Sequence, residues 1–129
     1  MPLERKQYPD IAPAGPTYYR AVIAGKMMFI SGCTARGTDS QGKSMMEQLD
    51  VTLGRLVAVA AAEGAGAGSF AKITCFVTSL ADYQADQDKL QGLFAKHFQE
   101  EYPANSLIEI TALAEPGLDV EIEAVVVLD

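Results

Sequence analysis

The longest regular pattern in the sequence is an amphipathic helix set between runs typical of β-strands. Its apolar side chains recur every three or four residues, which is the period of one helix face. They are Met46, Leu49, Leu53, Leu56, Val57 and Ala60. Ser44 and Glu47 form the S-x-x-E pattern that caps a helix start, and Gly64 favours an end near Glu63. Since one apolar face has to be buried, the pattern predicts a helix packed on a sheet.

The first strands should form a hairpin behind an N-terminal arm. Residues 1–17 are rich in Pro, Gly and charge, so we expect an arm there, with regular structure beginning near Tyr18. The runs 18–24 and 27–32 are rich in β-forming residues. Gly25-Lys26, which separates them, suits a two-residue hairpin turn.

A third strand, a second helix and two final strands are expected after the first helix. Residues 70–79 alternate apolar and polar side chains. An apolar stripe then predicts a helix that Asp82 caps, and 105–113 and 119–128 are typical of strands. The order β-β-α-β-α-β-β predicts an α+β sandwich, with two helices on one face of a mixed sheet of five or six strands.

Both faces of the predicted sheet carry apolar side chains. Strand alternation separates them into two sets. One set is Ile73, Val77, Ile122 and Val126, and the other is Phe76, Val125 and Val127. Because the helices cover only one face, we expect copies of the chain to associate through the other.

The acidic composition disfavours several classes of function. The 129 residues include 17 acidic and 10 basic side chains, a formal net charge of -7, which disfavours binding to nucleic acid. The length suits one globular domain over residues 1–129. No apolar run approaches the roughly 20 residues that span a bilayer, and the start lacks the apolar core of a secretory signal. We therefore expect a cytoplasmic protein with no membrane partner.

The two cysteines and the single histidine limit metal and thiol chemistry. Cys33 and Cys75 stand alone in apolar runs, so we expect buried free thiols. His97 has no close cysteine partner, which leaves a zinc site without enough ligands. Cys33 is a candidate nucleophile, although the one imidazole is predicted in a distant helix.

Glu121 and Glu123 share one face of the last strand. Two interpretations stay open for them. They belong to a solvated strand face, or one is partly desolvated at a subunit boundary. There, a raised pKa would let it position or deprotonate water.

Two arginines and a tyrosine lie around the predicted hairpin. A guanidinium matches a carboxylate, so Arg20 or Arg36 could hold an anionic substrate, although most surface arginines are only solvated. Arg36 lies in a glycine-bearing loop after a strand, which favours it slightly. Tyr18, at a strand start, is either a packing residue or a hydroxyl donor.

Several motifs together resemble the Rid/YjgF family, also called the L-PSP endoribonuclease family, from about Gly15 to Val127. They are "GPTYYRAVIAGKMMFISG", "AKITCFVTSLADYQADQ", "YPANSLIEI" and "LDVEIEAVVV". The resemblance implies a chorismate-mutase-like fold and a homotrimer with three clefts between subunits. It also implies hydrolysis of reactive enamines and imines, such as 2-aminoacrylate, to 2-keto acids and ammonia, without a metal or organic cofactor.

The same resemblance implies roles for individual residues. Glu121 matches the glutamate that orients water, Gly32 matches a glycine of close backbone approach, and Tyr18 matches the family tyrosine with a one-residue shift. Asn105 stands where these members have an arginine that holds the substrate carboxylate, so we expect Asn105 and Ser106 to hydrogen-bond the substrate instead.

The run "YYRAV" followed by "SGCTARG" is similar to branches that lack the arginine, some of which resemble 2-aminomuconate deaminase. In such a branch Arg20 or Arg36 would hold the anion, with Cys33 beside the substrate.

Two functions follow from the sequence. One is an enamine/imine deaminase of altered specificity. The other is a non-catalytic binding or regulatory trimer that holds a small metabolite, such as a carboxylate, in its cleft or a protein on its exposed surface. A ribonuclease is disfavoured by the charge of -7 and the single histidine.

Overall fold

The chain forms one mixed six-stranded sheet with helices packed on one face. The structure is a computed structural model and describes residues 2–129. Its strands are β1 (Leu3–Lys6), β2 (Ala21–Ala24), β3 (Met27–Cys33), β4 (Phe70–Val77), β5 (Ala104–Glu109) and β6 (Val120–Val127). Its helices are α1 (Met45–Ala62), α2 (Leu80–Gln84) and α3 (Gln87–Phe98), with a single 3-10 turn at Ala67–Ser69. The α+β class with a mixed sheet is confirmed.

The strand order is β1-β2-β3-β6-β4-β5, so the last strand of the chain lies in the middle of the sheet. The pair β4-β5 is parallel, and the other neighbouring pairs are antiparallel. Parallel neighbours need a crossover connection, which α2 and α3 provide between β4 and β5. Because β6 lies between β3 and β4, its carboxylates Glu121 and Glu123 lie within the sheet and not at its edge.

The predicted hairpin is confirmed, but the predicted N-terminal arm is wrong. Ala24 pairs with Met27 across the turn, and Gly25 has a φ of 61° that favours glycine. Before the hairpin, Leu3–Lys6 adds a strand to the free edge of β2 instead of remaining irregular. Backbone hydrogen bonds to that edge hold β1, and its mostly exposed side chains give no alternating pattern in the sequence.

The first helix is confirmed at both ends. The Oγ of Ser44 accepts a hydrogen bond from the backbone N–H of Glu47 at 3.2 Å, and the helix ends at Ala62, two residues before Gly64. Leu49, Leu53 and Leu56 are fully buried. Replacing any one of them with alanine should cost about 2–5 kcal/mol of stability.

The second predicted helix is two helices, and Asp82 caps neither. Ser79 caps α2 by accepting from the N–H of Asp82, and Asp86 caps α3 by accepting from the N–H of Lys89. Asp86 has an extended ψ of 89°, which interrupts the helix there. A side chain that accepts a backbone N–H favours such a break over a continuous helix. The observed order is therefore β-β-β-α-β-α-α-β-β, not β-β-α-β-α-β-β.

The two apolar faces of the sheet are confirmed. Ile73, Val77, Ile122 and Val126 are completely buried under the helices. On the uncovered face, Phe29 is 46% exposed and Val127 is 43% exposed. Cys33 and Cys75 are buried free thiols, as expected. Within residues 2–129, no helix has the length and apolar character to cross a membrane.

The loop that leads into β6 is anchored by a buried glutamine on α1. The Gln48 side-chain nitrogen lies 3.0 Å from the carbonyl oxygen of Gly117 and 3.1 Å from the carboxylate of Asp119. Its side-chain oxygen accepts from the N–H of Asp119 at 2.8 Å. These bonds fix the chain two residues before Glu121, and so fix where that carboxylate points.

Candidate functional site

A small pocket of about 40 Å³ gathers most of the predicted site residues. It lies where the C-terminal end of β3 meets the start of β6. Among the predicted residues, its lining includes Tyr18, Arg20, Gly32, Cys33, Arg36 and Glu121. The other lining residues are Ala12, Pro13, Thr34, Arg55, Ala114 and Leu118.

Gly32 lies directly against the side chain of Glu121. A β-carbon added at Gly32 would lie 2.6 Å from the carboxyl carbon of Glu121, which is closer than two non-bonded carbons approach. The pairing of β3 with β6 shifts by one residue between Ile30 and Cys33, which marks a bulge. The bulge and the absence of a side chain let the β3 backbone meet the carboxyl group.

The carboxyl group of Glu121 is harder to ionise than an ordinary glutamate. Burial raises its pKa, and the negative charge of Glu123 raises it further, while Arg20 lowers it. The net pKa is raised, because half-burial penalises the charged form most. A carboxylate in this state is a stronger base than a solvated one.

Arg20 is a structural centre of the pocket. It is 4% exposed, and its Nε donates to the carbonyl of Ala12 at 2.9 Å. Its Nη1 donates to the carbonyls of Ser31 and Gly32 at 3.0 and 2.9 Å, and Nη2 donates to Pro13 at 3.0 Å. An arginine has five N–H groups, and four of those of Arg20 bind backbone carbonyl oxygens, so one is left for a substrate anion. Arg20 therefore joins the segment 12–13 to the bulge of β3, and the expectation that it binds an anion as a fork is corrected.

Tyr18 stands at the edge of the pocket with its ring over Arg20. The guanidinium carbon of Arg20 is 5.6 Å from the ring centroid, within the range of a cation–π contact. The side chain is 41% exposed and packs so closely on Gly15 that a β-carbon there would lie 2.8 Å from the ring. The ring of Tyr18 is therefore held in the pocket lining by contacts with Gly15 and Arg20.

Among the three arginines that line the pocket, Arg36 and Arg55 each donate only one hydrogen bond to the backbone. Arg36 donates to the carbonyl of Pro13 at 3.0 Å and lies 3.7 Å from the Glu115 carboxylate. Arg55, on α1, donates to the carbonyl of Thr34 at 2.7 Å. Sequence reasoning missed Arg55, although it is the single basic residue of an otherwise apolar and acidic helix.

Cys33 is buried and un-ionised. Burial raises the pKa of its thiol, and the nearby Arg20 and Arg55 offset this only in part. Its Sγ lies 3.5 Å from Nη1 of Arg20. His97 is elsewhere, 2.7 Å from the Asp50 carboxylate, between α3 and α1. Cys33 therefore lines the pocket without a base to activate it.

Asn105 and Ser106 do not reach this pocket. Asn105 pairs with Ile73 on the helix-covered face of the sheet, and Ser106 pairs with Thr74 on the uncovered face. The Ser106 hydroxyl accepts from Nζ of Lys72 at 3.0 Å. One chain therefore does not bring the two residues of β5 to Glu121.

Asn105 lines a larger groove of about 530 Å³ between the helices and β5. Its side chain and that of Tyr83 lie near the thiol of Cys75, and both lower the pKa of that thiol slightly against the effect of burial. The other lining residues are Gln84, Gln87, Leu90, Gln91, Phe94, Tyr102, Pro103 and Leu107. None of these side chains is charged, so the groove suits an uncharged or aromatic group.

No group of three His, Cys, Asp or Glu side chains within residues 2–129 is placed to hold a metal ion. The chemistry open to the pocket is that of one carboxyl, one phenol and three guanidinium groups. These can bind an anion and move a proton.

The sequence matches a known family over nearly its whole length. The profile of the family described as Endoribonuclease L-PSP matches residues 9–128. The RutC family protein y4sK of Sinorhizobium fredii is 34% identical over 118 residues, which cover 88% of this chain and 88% of that protein. TdcF of Escherichia coli K12, named as a reactive intermediate deaminase, is 30% identical over 117 residues, 88% of this chain and 87% of TdcF.

Solved structures agree with the sequence matches. RidA from the Antarctic bacterium Psychrobacter has a TM-score of 0.80 at 26% identity and covers 97% of this chain and 100% of RidA. A member of the YjgF/YER057c/UK114 family from Mycobacterium tuberculosis has a TM-score of 0.72 at 28% identity over 88% of each chain. The chain therefore belongs to the Endoribonuclease L-PSP family, which is also called the Rid/YjgF family.

Proposed function

We propose that the chain is an enamine/imine deaminase that hydrolyses a reactive imine to a carbonyl compound and ammonia. The observation that carries the proposal is the contact of Glu121 with the backbone at Gly32, in a pocket that raises the pKa of the carboxyl group. Such a carboxyl can take a proton from water near neutral pH. The name of the relative TdcF, a reactive intermediate deaminase, supports the same class of reaction.

The reaction needs only water and proton transfers. An enamine first takes a proton on carbon and becomes an imine. Glu121 then accepts a proton from water as the water oxygen bonds to the imine carbon, and Glu121 passes that proton to the nitrogen. The hydroxyl proton is next transferred to the nitrogen, the carbon–nitrogen bond breaks, the carbonyl forms, and ammonia leaves. Imine and water are consumed, carbonyl and ammonia are produced, and Glu121 is regenerated.

The complete site is proposed to lie between subunits of a homotrimer. Glu121 and Asn105 lie on opposite faces of the sheet, so a single chain cannot place both on one small substrate. The exposed apolar side chains of the uncovered face, including Phe29 and Val127, supply a surface that association would bury. Contact between the groove of one subunit and the pocket of another would unite the two sets.

The specificity is proposed to differ from that of members with the arginine. Asn105 has no charge to pair with a carboxylate, and the groove around it has no charged side chain. An amide in place of a guanidinium removes a charge-assisted hydrogen bond, worth about 1.5–3 kcal/mol. We therefore propose that the groove holds an uncharged part of a substrate larger than 2-aminoacrylate, such as an enamine with a 2-aminomuconate-like chain.

The test measures the release of ammonia from imines that an amino-acid oxidase generates in situ. Wild type, Glu121→Gln, Asn105→Arg and Glu4→Gln should be compared. Glu4→Gln makes the same chemical change on an exposed strand that does not line the pocket. We expect activity in wild type and in Glu4→Gln, and a loss of about a hundredfold or more in Glu121→Gln. Equal turnover in Glu121→Gln would overturn the proposal.

A second function is supported by the uncharged groove itself. Its volume of about 530 Å³ lies in the range of small-molecule binding sites, and it is separate from Glu121. A non-catalytic trimer that binds a small metabolite would use the groove alone. It would bind a ligand saturably, release no product, and bind equally well after Glu121→Gln.

A further inference from the structure

Two guanidinium groups point to a site for a negative charge on the side of the pocket that holds Glu121. Arg55 approaches from α1 and Arg36 from the loop after β3, and both line the pocket with Glu121. We propose that Arg55 and Arg36 bind the carboxylate of a 2-imino acid beside Glu121, an inference that rests on the proposed deaminase function. The anion site would then be supplied by residues other than the one at position 105.

The hydrogen bonds of the pocket arginines separate Arg55 and Arg36 from Arg20. Arg20 donates four hydrogen bonds to backbone carbonyl oxygens. Arg55 and Arg36 each donate one hydrogen bond to the backbone. Since each guanidinium has five N–H groups, Arg55 keeps a pair of adjacent donors that can face a carboxylate. Arg36 also lies 3.7 Å from the Glu115 carboxylate, so it would contribute its remaining donors.

The charges around Arg55 are not balanced by carboxylates. Within residues 2–129 no carboxylate lies within 4.0 Å of its guanidinium. Burial lowers the pKa of Arg55, and Arg20 and Arg36 repel its charge, while Cys33 opposes the shift. Of the described residues, Glu121 is the one carboxyl group in the pocket lining, and burial raises its pKa. A bound anion would offset this repulsion.

The size of the pocket decides which part of a substrate it can take. Its volume of about 40 Å³ lies far below the ~300–1,000 Å³ of ordinary small-molecule sites. A single carboxylate fits this space, and a whole substrate does not. In a 2-imino acid the reacting carbon is bonded to the carboxylate carbon, so it would lie at the pocket entrance, next to Glu121.

A purely structural role for the two arginines makes a different prediction. Each of them ties one backbone carbonyl, at Thr34 or Pro13, to the pocket wall. If that were their whole task, replacement would lower stability and would not distinguish charged from uncharged ligands. The anion site predicts a loss that depends on the ligand's charge.

The experiment compares the binding of two stable probes of nearly equal size, 2-oxobutanoate and butanone, by isothermal titration calorimetry. Wild type, Arg55→Gln, Arg55→Lys, Arg36→Gln and Arg5→Gln are measured. Arg5→Gln removes the same charge from β1, away from the pocket lining. Thermal unfolding of each variant identifies any that fails to fold, and Arg36→Gln then carries the test in place of Arg55→Gln.

We expect wild type to bind 2-oxobutanoate more tightly than butanone. Arg55→Gln and Arg36→Gln should each weaken 2-oxobutanoate binding about tenfold or more, leave butanone binding unchanged, and reduce the salt dependence. Arg55→Lys should recover part of the loss, and Arg5→Gln should have no effect. Equal weakening for both probes, or for Arg5→Gln, would overturn the anion site.

The outcome separates this inference from the proposed function. If Arg55→Gln leaves the preference for 2-oxobutanoate intact while Glu121→Gln abolishes ammonia release, the deaminase stands and the anion site fails. If the preference depends on Arg55 but no imine is hydrolysed, the anion site stands and the deaminase fails.

Discussion

Asn105 and Glu121 lie on opposite faces of the same sheet, two strands apart. Asn105 pairs with Ile73 on the helix-covered face, and Glu121 pairs with Phe76 on the uncovered face. This arrangement follows from the pairing register, because Ile73 and Phe76 are three residues apart on β4 and therefore face opposite sides of the sheet. A site that needs both residues has to be shared between chains, whereas a site built on Glu121 and the arginines can form within one.

Gly32→Ala should damage the pocket, because the added methyl group would overlap the Glu121 carboxyl. We expect a loss of about 1–3 kcal/mol in stability and a clear fall in deaminase activity. Urea unfolding and ammonia release measure the two effects. The matched control is Gly92→Ala on α3, where a β-carbon meets no atom within 4 Å. The control should instead gain about 1 kcal/mol, since alanine favours a helix more than glycine does. A fully active, stable Gly32→Ala protein would show that the contact is not required.

The raised pKa of Glu121 predicts opposite pH effects on activity and on stability. A base must be deprotonated, so activity should rise with pH through the folded pKa of Glu121. The folded state binds this proton more tightly than the unfolded state, so the carboxyl lowers stability as the pH rises above the unfolded pKa. Glu121→Gln should therefore be more stable than wild type at pH 7 and equal to it at pH 4. Urea unfolding at both pH values measures this, and a less stable variant at pH 7 would contradict it.

Asp50 should stabilise the contact between α1 and α3 in a pH-dependent way. It lies 2.9 Å from Nζ of Lys96 and 2.7 Å from Nε2 of His97. Burial raises the pKa of Asp50. The hydrogen bonds and charges of His97 and Lys96 together lower it by a larger amount, so the net pKa is lowered. The stabilisation is present above the ordinary carboxyl pKa of about 4 and is lost as the pH falls through the folded pKa.

Asp50→Asn tests this contact directly. Because the Asp50 side chain is 40% exposed, solvent screening limits the expected loss to about 0.5–1 kcal/mol at pH 7. The difference from wild type should shrink toward zero in acid. Asp39→Asn, an exposed loop substitution, should change stability at neither pH. Chemical denaturation at a series of pH values decides between these outcomes.

How far the sequence could predict this fold depends on whether a signal was local. The Ser44 cap, the apolar stripe of α1 and the Gly25-Lys26 turn act within a few residues, and all three are confirmed. The strand β1 has no such signal, because the hydrogen-bonding edge of β2 selects it. The break at Asp86 was missed because an apolar stripe continues across it and a local hydrogen bond decides it.

The candidate site was predictable in its parts but not in its assembly. The resemblance to the family identified Glu121, Gly32 and Tyr18, and the structure places them at one pocket. Arg55 entered the pocket only through the packing of α1 on the sheet, which no motif records. The engagement of Arg20 with backbone carbonyls depends on the bulge in β3, and a bulge changes pairing without a fixed residue pattern.

Phe29→Lys should prevent association through the uncovered face. The substitution places a charge in the middle of an apolar surface that the proposed trimer buries. Light scattering should give about three times the chain mass of 13.8 kDa for wild type and a smaller assembly for the variant. Ala61→Lys, on the exposed side of α1, should leave the mass unchanged. A monomeric wild type would rule out the shared site.

Cys75 should resist thiol reagents in the folded protein. Burial raises its pKa to about 11, with partial opposition from Tyr83, Lys72 and Asn105. At pH 8 almost none of the thiol is ionised, and the thiolate is the reactive form. Cys75→Ser variants identify which of the two thiols reacts in a timed assay with a chromogenic disulfide. Both thiols should react quickly in denaturant, and fast reaction of Cys75 without denaturant would contradict the burial.

The bulge between Ile30 and Cys33 amounts to one extra residue in a strand that is otherwise regularly paired. Before the bulge, β3 presents Phe29 to the proposed subunit interface, and within the bulge the Gly32 backbone meets Glu121. Removing one residue between Ile30 and Cys33 would restore continuous pairing with β6, keep Cys33 opposite Ile122, and remove the irregular segment that brings the Gly32 backbone to Glu121. The pocket at Glu121 can therefore be lost while the uncovered apolar face around Phe29 is kept. A one-residue gap at this point in a homologue would mark a protein that has kept the fold and abandoned the chemistry.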